Sequence, residues 1–214
     1  MKKKLLIGIL WLGMLVAPRA SIYYQGTGVS GDFSEGSVVN PTIVDGNPAA
    51  VIANPMTLSG LGASLSSLTV TLNVSGGNNS GLYAYLVGPG STTVILMNQP
   101  GVAVNGFGAT GAGMNLTLQD GTVANGSIQN ETSGSVLGGT YNAAGSLSYF
   151  NGGDPNGTWT LYFADTIADG GDANLNGWSL NITAVPEPVT TALIIFMALQ
   201  LFLAVFRREK GEIF

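Results

Sequence analysis

The sequence predicts an all-β chain, a sandwich or jelly-roll-like domain flanked by an N-terminal signal peptide and a transmembrane helix near its other end. Three observations carry this. Short apolar runs alternate with polar residues at a period of two, as half-buried strands do. Turn-forming residues separate them, with 32 glycines in 214 residues. Two apolar segments flanked by basic residues frame a body that has no basic residue at all.

Residues 1–20 read as the signal peptide. Lys2, Lys3 and Lys4 precede an uncharged stretch from Leu5 to Ala17, and small residues follow. Cleavage is placed after Ala20, and a retained N-terminal anchor is the alternative. Residues 21–184 then form one domain, long enough for a single core.

Within it, Leu68, Val70, Leu72 and Val74 alternate with Thr69, Thr71 and Asn73, giving one apolar face and one wet face. Leu82–Val87 is apolar on both faces and is placed centrally, with Gly88, Pro89 and Gly90 as its turn. Further strands are predicted at Thr93–Met97, Asn115–Gln119, Ser146–Phe150, Thr158–Ala164 and Gly177–Thr183. Trp159, Leu161 and Phe163 share one face, as do Trp178, Leu180 and Ile182; the two faces are expected to meet in the core. The segment Gly108–Gly113 lacks the lysine of a phosphate loop and reads as a flexible hairpin.

Residues 185–214 have three parts. Val185, Pro186, Glu187 and Pro188 hold the backbone extended, because proline continues neither helix nor sheet. Residues 189–206 form an apolar run about 27 Å long as a helix, near the roughly 30 Å of a hydrocarbon core. Arg207, Arg208 and Lys210 follow, a basic cluster that prefers the cytoplasmic side and places the body outside the inner membrane.

This order resembles the PEP-CTERM sorting signal of Gram-negative bacteria. The resemblance implies a processing partner, an exosortase, that removes the helix near Pro186-Glu187-Pro188. It also implies delivery of the body to the cell surface, outer membrane or an exopolysaccharide matrix, with the membrane as a transient or retained partner. A plain membrane anchor is the alternative.

A second resemblance covers about residues 44–183. Val44-Asp45-Gly46-Asn47-Pro48, Leu68–Val74 and Leu82–Pro89 lead to a closing block: Phe150–Leu161 with Gly157-Thr158-Trp159-Thr160-Leu161, then Asp165, then Asn176-Gly177-Trp178-Ser179-Leu180. In that order these segments resemble the P domain (P/Homo B) of subtilisin-like proprotein convertases. The chain departs from the family at Val74-Ser75, where a His-Thr pair stands, and at Gly81, where an Asp stands. No subtilisin-like catalytic domain accompanies the region, so the resemblance implies a fold and not a protease.

Charge narrows function further. The only basic residues are Lys2, Lys3, Lys4, Arg19, Arg207, Arg208 and Lys210, whereas the body carries Asp32, Glu35, Asp45, Asp120, Glu131, Asp154, Asp165, Asp169 and Asp172. Such a surface repels nucleic-acid phosphates and anionic headgroups, so no nucleic-acid partner is expected. Without His, Lys, Arg or Cys, the body cannot build a Ser-His-Asp triad, a Ser-Lys dyad, a cysteine nucleophile or a histidine zinc site. Only a carboxylate pair of the glycosidase type survives.

The expectation is therefore a chain that is not an enzyme: an exported surface or exopolysaccharide-matrix protein, possible partners including extracellular polysaccharide. The alternatives are a carbohydrate-binding module, with Tyr23, Tyr24 or Tyr141 stacking on sugars, and a carboxylate-dependent glycan-active enzyme. The densest acidic loop runs from Asp165 to Asp172. Its hard oxygen donors suggest a structural calcium held by Asp165, Asp169 and Asp172, against the alternative of a solvated turn.

Overall fold

The computed structural model describes residues 20–27, 41–62, 64–185 and 193–203. The expected signal peptide before Ala20, Pro186, Glu187 and Pro188 of the sorting motif, and Arg207, Arg208 and Lys210 lie outside the described residues. The described chain is all-β, as predicted, with ten strands in two sheets. These are β1 (Ala20–Thr27), β2 (Thr42–Ile43), β3 (Ile52–Leu58), β4 (Ser64–Gly76) and β5 (Leu82–Val87), then β6 (Thr93–Asn98), β7 (Met114–Gln119), β8 (Leu137–Asn142), β9 (Gly157–Asp165) and β10 (Ala173–Val185). One four-residue helix, α1 (Val102–Asn105), leads from β6 toward β7.

The first sheet has the order β1-β10-β4-β7-β8, with β2 also paired to β10; the second has the order β3-β9-β5-β6. Every pairing is antiparallel except β7 with β8. The alternation in β4 does what the sequence predicts: Leu68, Val70, Leu72 and Val74 are buried, while Thr71 on the other face shares a 3.1 Å hydroxyl contact with Thr117. β5 lies inside its sheet between β9 and β6, the central position predicted for it.

The core forms where the sheets face each other. Trp159, Leu161 and Phe163 of β9 and Trp178, Leu180 and Ile182 of β10 are all buried, from opposite sheets. A bulge at Asn176, where the β10–β4 register shifts between Leu175 and Gly177, lets Leu175 and Trp178 both reach this core. The Trp178 Nε1–H donates to Asn54 Oδ1 of β3 at 2.9 Å, tying the sheets together through a buried polar pair.

Two expectations are corrected. Ser146–Phe150 is not a strand: Leu147–Phe150 is a 3-10 turn whose buried Leu147 and Phe150 lie three residues apart. Gly108–Gly113 is not a hairpin but an irregular connection into β7, whose sheet neighbours are β4 and β8. Of the apolar run 189–206, residues 193–203 are described; they are helical and exposed. Among the described residues no helix is long and apolar enough to cross a membrane.

Candidate functional site

The parity of β9 sets up the site. Trp159, Leu161 and Phe163 point inward, and two residues on, at the last position of the strand, the inward residue is Asp165. It pairs across the ladder with Leu82 and is fully buried. Its Oδ1 accepts the Ile167 N–H at 3.2 Å, while Oδ2 is buried without a hydrogen-bond partner.

Two other segments bring acids to it. β2 pairs with the start of β10 at Ala173 and Asn174, which delivers the following turn, with Asp45, against the β9–β10 connection. Gly46 allows this approach. It sits at a φ of +62°, and a Cβ there would lie 2.5 Å from that of Ala168. Asp45 Oδ1 accepts the Asp169 N–H at 3.2 Å and Oδ2 the Gly171 N–H at 3.1 Å, so Asp45 staples the β9–β10 loop from outside.

As a result, carboxylate oxygens of Asp45, Asp165 and Asp169 lie within 4.8 Å of one another. Asp165 forms the buried floor, Asp45 is half-buried and Asp169 is exposed to solvent. The 3-10 turn Asn79–Gly81 lines the same end: Ser80 Oγ donates to Asp169 Oδ2 at 3.1 Å. Gly81 lies under Asp165, where a Cβ would overlap Oδ1 and stand 3.2 Å from the Ile167 carbonyl oxygen.

Electrostatics follow from this crowding. Burial pushes the Asp165 carboxyl above the usual carboxylate range, and the charges of Asp45 and Asp169 push the same way, against the Ile167 and Gly46 amides. Asp169 is also raised, by burial first and then by Asp45, with the Ser80 hydroxyl opposing.

The predicted metal set is thus partly rearranged. Asp165 and Asp169 come together, but the third member is Asp45; Asp172 Oδ1 instead accepts the Asp45 N–H at 3.0 Å. Asp154 stays separate, its Oδ1 taken by the backbone and side-chain N–H groups of Asn156, which hold its pKa below the ordinary value. Of the sorting residues, Val185 is described as the last residue of β10.

Of the tyrosines expected to meet a sugar, Tyr141 falls differently. Tyr141 is buried, its hydroxyl donating to Glu131 Oε2 at 2.8 Å, so it is not available to a sugar. Tyr23 and Tyr24 lie on β1, which pairs with β10. Among the described side chains, three partly exposed rings lie on the outer face of the second sheet. There Tyr85 and Tyr162 stack across β5 and β9 with centroids 4.6 Å apart, and Tyr83 tilts against Tyr85 at 5.8 Å. An open cleft of about 380 Å³ beside β6 is lined by Ile95, Asn98, Gln129 and Tyr149 among others, and Tyr149 is 74% exposed.

No family model matches the chain, and no curated protein matches it. Two solved structures resemble it: a serine protease of Aeromonas sobria, at 14% identity and a TM-score of 0.44 over 78% of this chain, and the Aeromonas sobria serine protease in complex with its chaperone, at 14% and 0.45 over 79%. The chain spans 27% and 28% of the length of those chains. These two structures run against the expectation that the chain is not an enzyme, and that expectation is withdrawn. At this level of likeness, proteolysis is a property of those proteins and is not transferred to this chain.

Proposed function

We propose that this chain is an exported module resembling a P domain, displayed at the surface or in the exopolysaccharide matrix of a Gram-negative-type bacterium through a PEP-CTERM-like tail. A signal peptide takes it across the inner membrane, residues 189–206 hold it there, and an exosortase-type enzyme cuts near Glu187. The observation that carries this reading is the course of β10. It lies between β1 and β4 and continues to Val185, directly before Pro186. A tail joined to an interior strand is anchored by ladders on both sides, and proline, which donates no ladder hydrogen bond, is disfavoured in a sheet interior.

Mass spectrometry of the surface-extracted protein tests it. A mature chain ending near Pro188 is expected; surface material that retains Phe214 rules the processing step out. A Pro186→Ala, Glu187→Ala double variant should accumulate uncut in the inner membrane.

The tyrosine face favours a second reading, a carbohydrate-binding module. The outward residues around it are uncharged: Ala53 and Tyr162 in one cross-strand row with Tyr85 and Ile95, and Thr160 and Val87 in the next. Tyr162 has only Ala53 on its far side, which leaves a ring face for the apolar side of a neutral sugar. A glycan array with wild type and Tyr162→Ala decides it: retention of neutral glycans by wild type alone supports binding there, and no retention removes this reading.

A further inference from the structure

The geometry points to a divalent-cation site, suited to calcium, at the end of the sandwich where Asp45, Asp165 and Asp169 converge. This is independent of how the protein is sorted. Three acids gathered at a surface can stay apart in water and need no ion. Here, however, one of them is fully buried and ends in an oxygen, Asp165 Oδ2, that makes no hydrogen bond; the Gly46 amide favours the charged carboxyl but does not reach bonding geometry with it. Leaving a buried carboxylate oxygen unpaired costs several times what an exposed one does.

Among the described residues nothing can supply the missing positive charge. Residues 20–206 contain no Lys, Arg or His. The amides that reach the cluster satisfy Asp45 and one oxygen of Asp165, and the Ser80 hydroxyl is shared between Asp169 and Asn78. A cation from solution, or a proton, remains to neutralise the group, and a calcium-dependent melting temperature separates the two.

The donor set selects the ion. All three side chains are hard oxygen donors with no nitrogen or sulfur nearby, which disfavours zinc and copper. Oxygens within 4.8 Å of one another fit around an ion with Ca–O distances of about 2.4 Å. Magnesium demands near-ideal octahedral geometry and dehydrates reluctantly, so a site built mainly from protein carboxylates suits it less. The exposed Asp169 and half-buried Asp45 leave an entry from solvent, with the buried Asp165 as the inner ligand. A bound ion would clamp two segments of distant sequence: the turn after β2, and the end of β9 with the loop that follows it.

The test uses the full chain in neutral detergent, titrated with calcium chloride and followed by thermal unfolding and calorimetry. Millimolar calcium should raise Tm by about 5–10 °C over chelator, and magnesium at matched ionic strength by much less. Asp165→Asn should raise the Tm measured in chelator, because it removes the unpaired buried charge, and should abolish the calcium increment. Asp45→Asn, at a half-buried position, should also abolish it, which keeps the test decisive if the Asp165 variant does not fold. Asp154→Asn should leave the increment intact. The site is overturned if wild type melts alike in calcium and chelator with no binding heat, if sodium at equal ionic strength gives the same rise, or if Asp154→Asn loses the increment as fully as Asp45→Asn.

Discussion

Asp120 and Asp165 are the same residue at two ends of strands, treated in opposite ways. Asp120 follows β7 in an exposed position and is crowded with donors: Ser146 Oγ at 2.8 Å, the Leu147 N–H at 3.0 Å and the Ser148 N–H at 2.6 Å. It caps the 3-10 turn from 26 residues away in sequence. Asp165 is buried, is offered a single amide within hydrogen-bond distance, and has two other acids for neighbours. One carboxylate is neutralised by the fold and stabilises a turn. The other is left for the solvent to neutralise, and that difference separates a structural acid from a ligand.

The strongest way to break this contrast is to separate the two loops that gather the acids. Gly46→Ala forces a left-handed backbone on a residue with a Cβ and drives that carbon into Ala168. The strain and overpacking together should cost about 2–4 kcal/mol, read as a lowered urea midpoint with an unchanged m-value. The calcium response should fall with it, because Asp45 moves with Gly46. A Gly46→Ala protein as stable as wild type would show that the turn after β2 does not pack where it is placed.

Next in size is Asp120→Ala. It frees two amides and a hydroxyl at one turn and should cost about 1–2 kcal/mol. Unlike Asp165→Asn, it should be destabilising with or without calcium. If Asp120→Ala instead removed the calcium increment, the two acids would not be distinguishable and the contrast would fail.

How much of this the sequence carried depends on range. β4, β9 and the Gly177–Thr183 part of β10 were legible because their period of two is unbroken there, and β5 because it is a short apolar run closed by Gly88 and Pro89. β3 was not, since Asn54 and Pro55 interrupt Ile52–Leu58; its place at the sheet edge tolerates the proline, and Asn54 is used by Trp178. β8 hides behind Gly138 and Gly139, residues depleted in strands, and it too is an edge. The turn at Leu147–Phe150 looked like a strand because its cap, Asp120, lies far off in sequence. At the acidic end, Asp165 carried a signal in its parity with Trp159, Leu161 and Phe163. Asp172, near it in sequence, was the natural third ligand by proximity. Asp45 is placed by the pairing of β2 with β10, a contact over more than a hundred residues that no local pattern contains.

The smallest effect sharpens the contrast with a third acid. Glu131 is satisfied by the Ser133 N–H at 2.8 Å and by the Tyr141 hydroxyl at 2.8 Å. Burial, then the hydrogen bond to Glu131 and its charge, push the Tyr141 phenol up to about 12. The folded state therefore holds this proton more tightly than the unfolded chain, where the phenol titrates near 10. Its stabilisation is fully present below about pH 10 and is lost as the pH climbs toward 12, because the unfolded state releases the proton first. Tyr85, raised by burial, Tyr162 and Tyr83, adds a slope of the same sign. Tyr141→Phe should cost about 1 kcal/mol at neutral pH, the worth of one hydrogen bond to a charged group less the gain of an apolar edge. It should also flatten, without abolishing, the fall in urea midpoint between pH 10 and 12. A variant whose alkaline slope matched wild type would mean that Glu131 is not held by this phenol, and that it belongs with Asp165 among the acids the fold leaves unpaired.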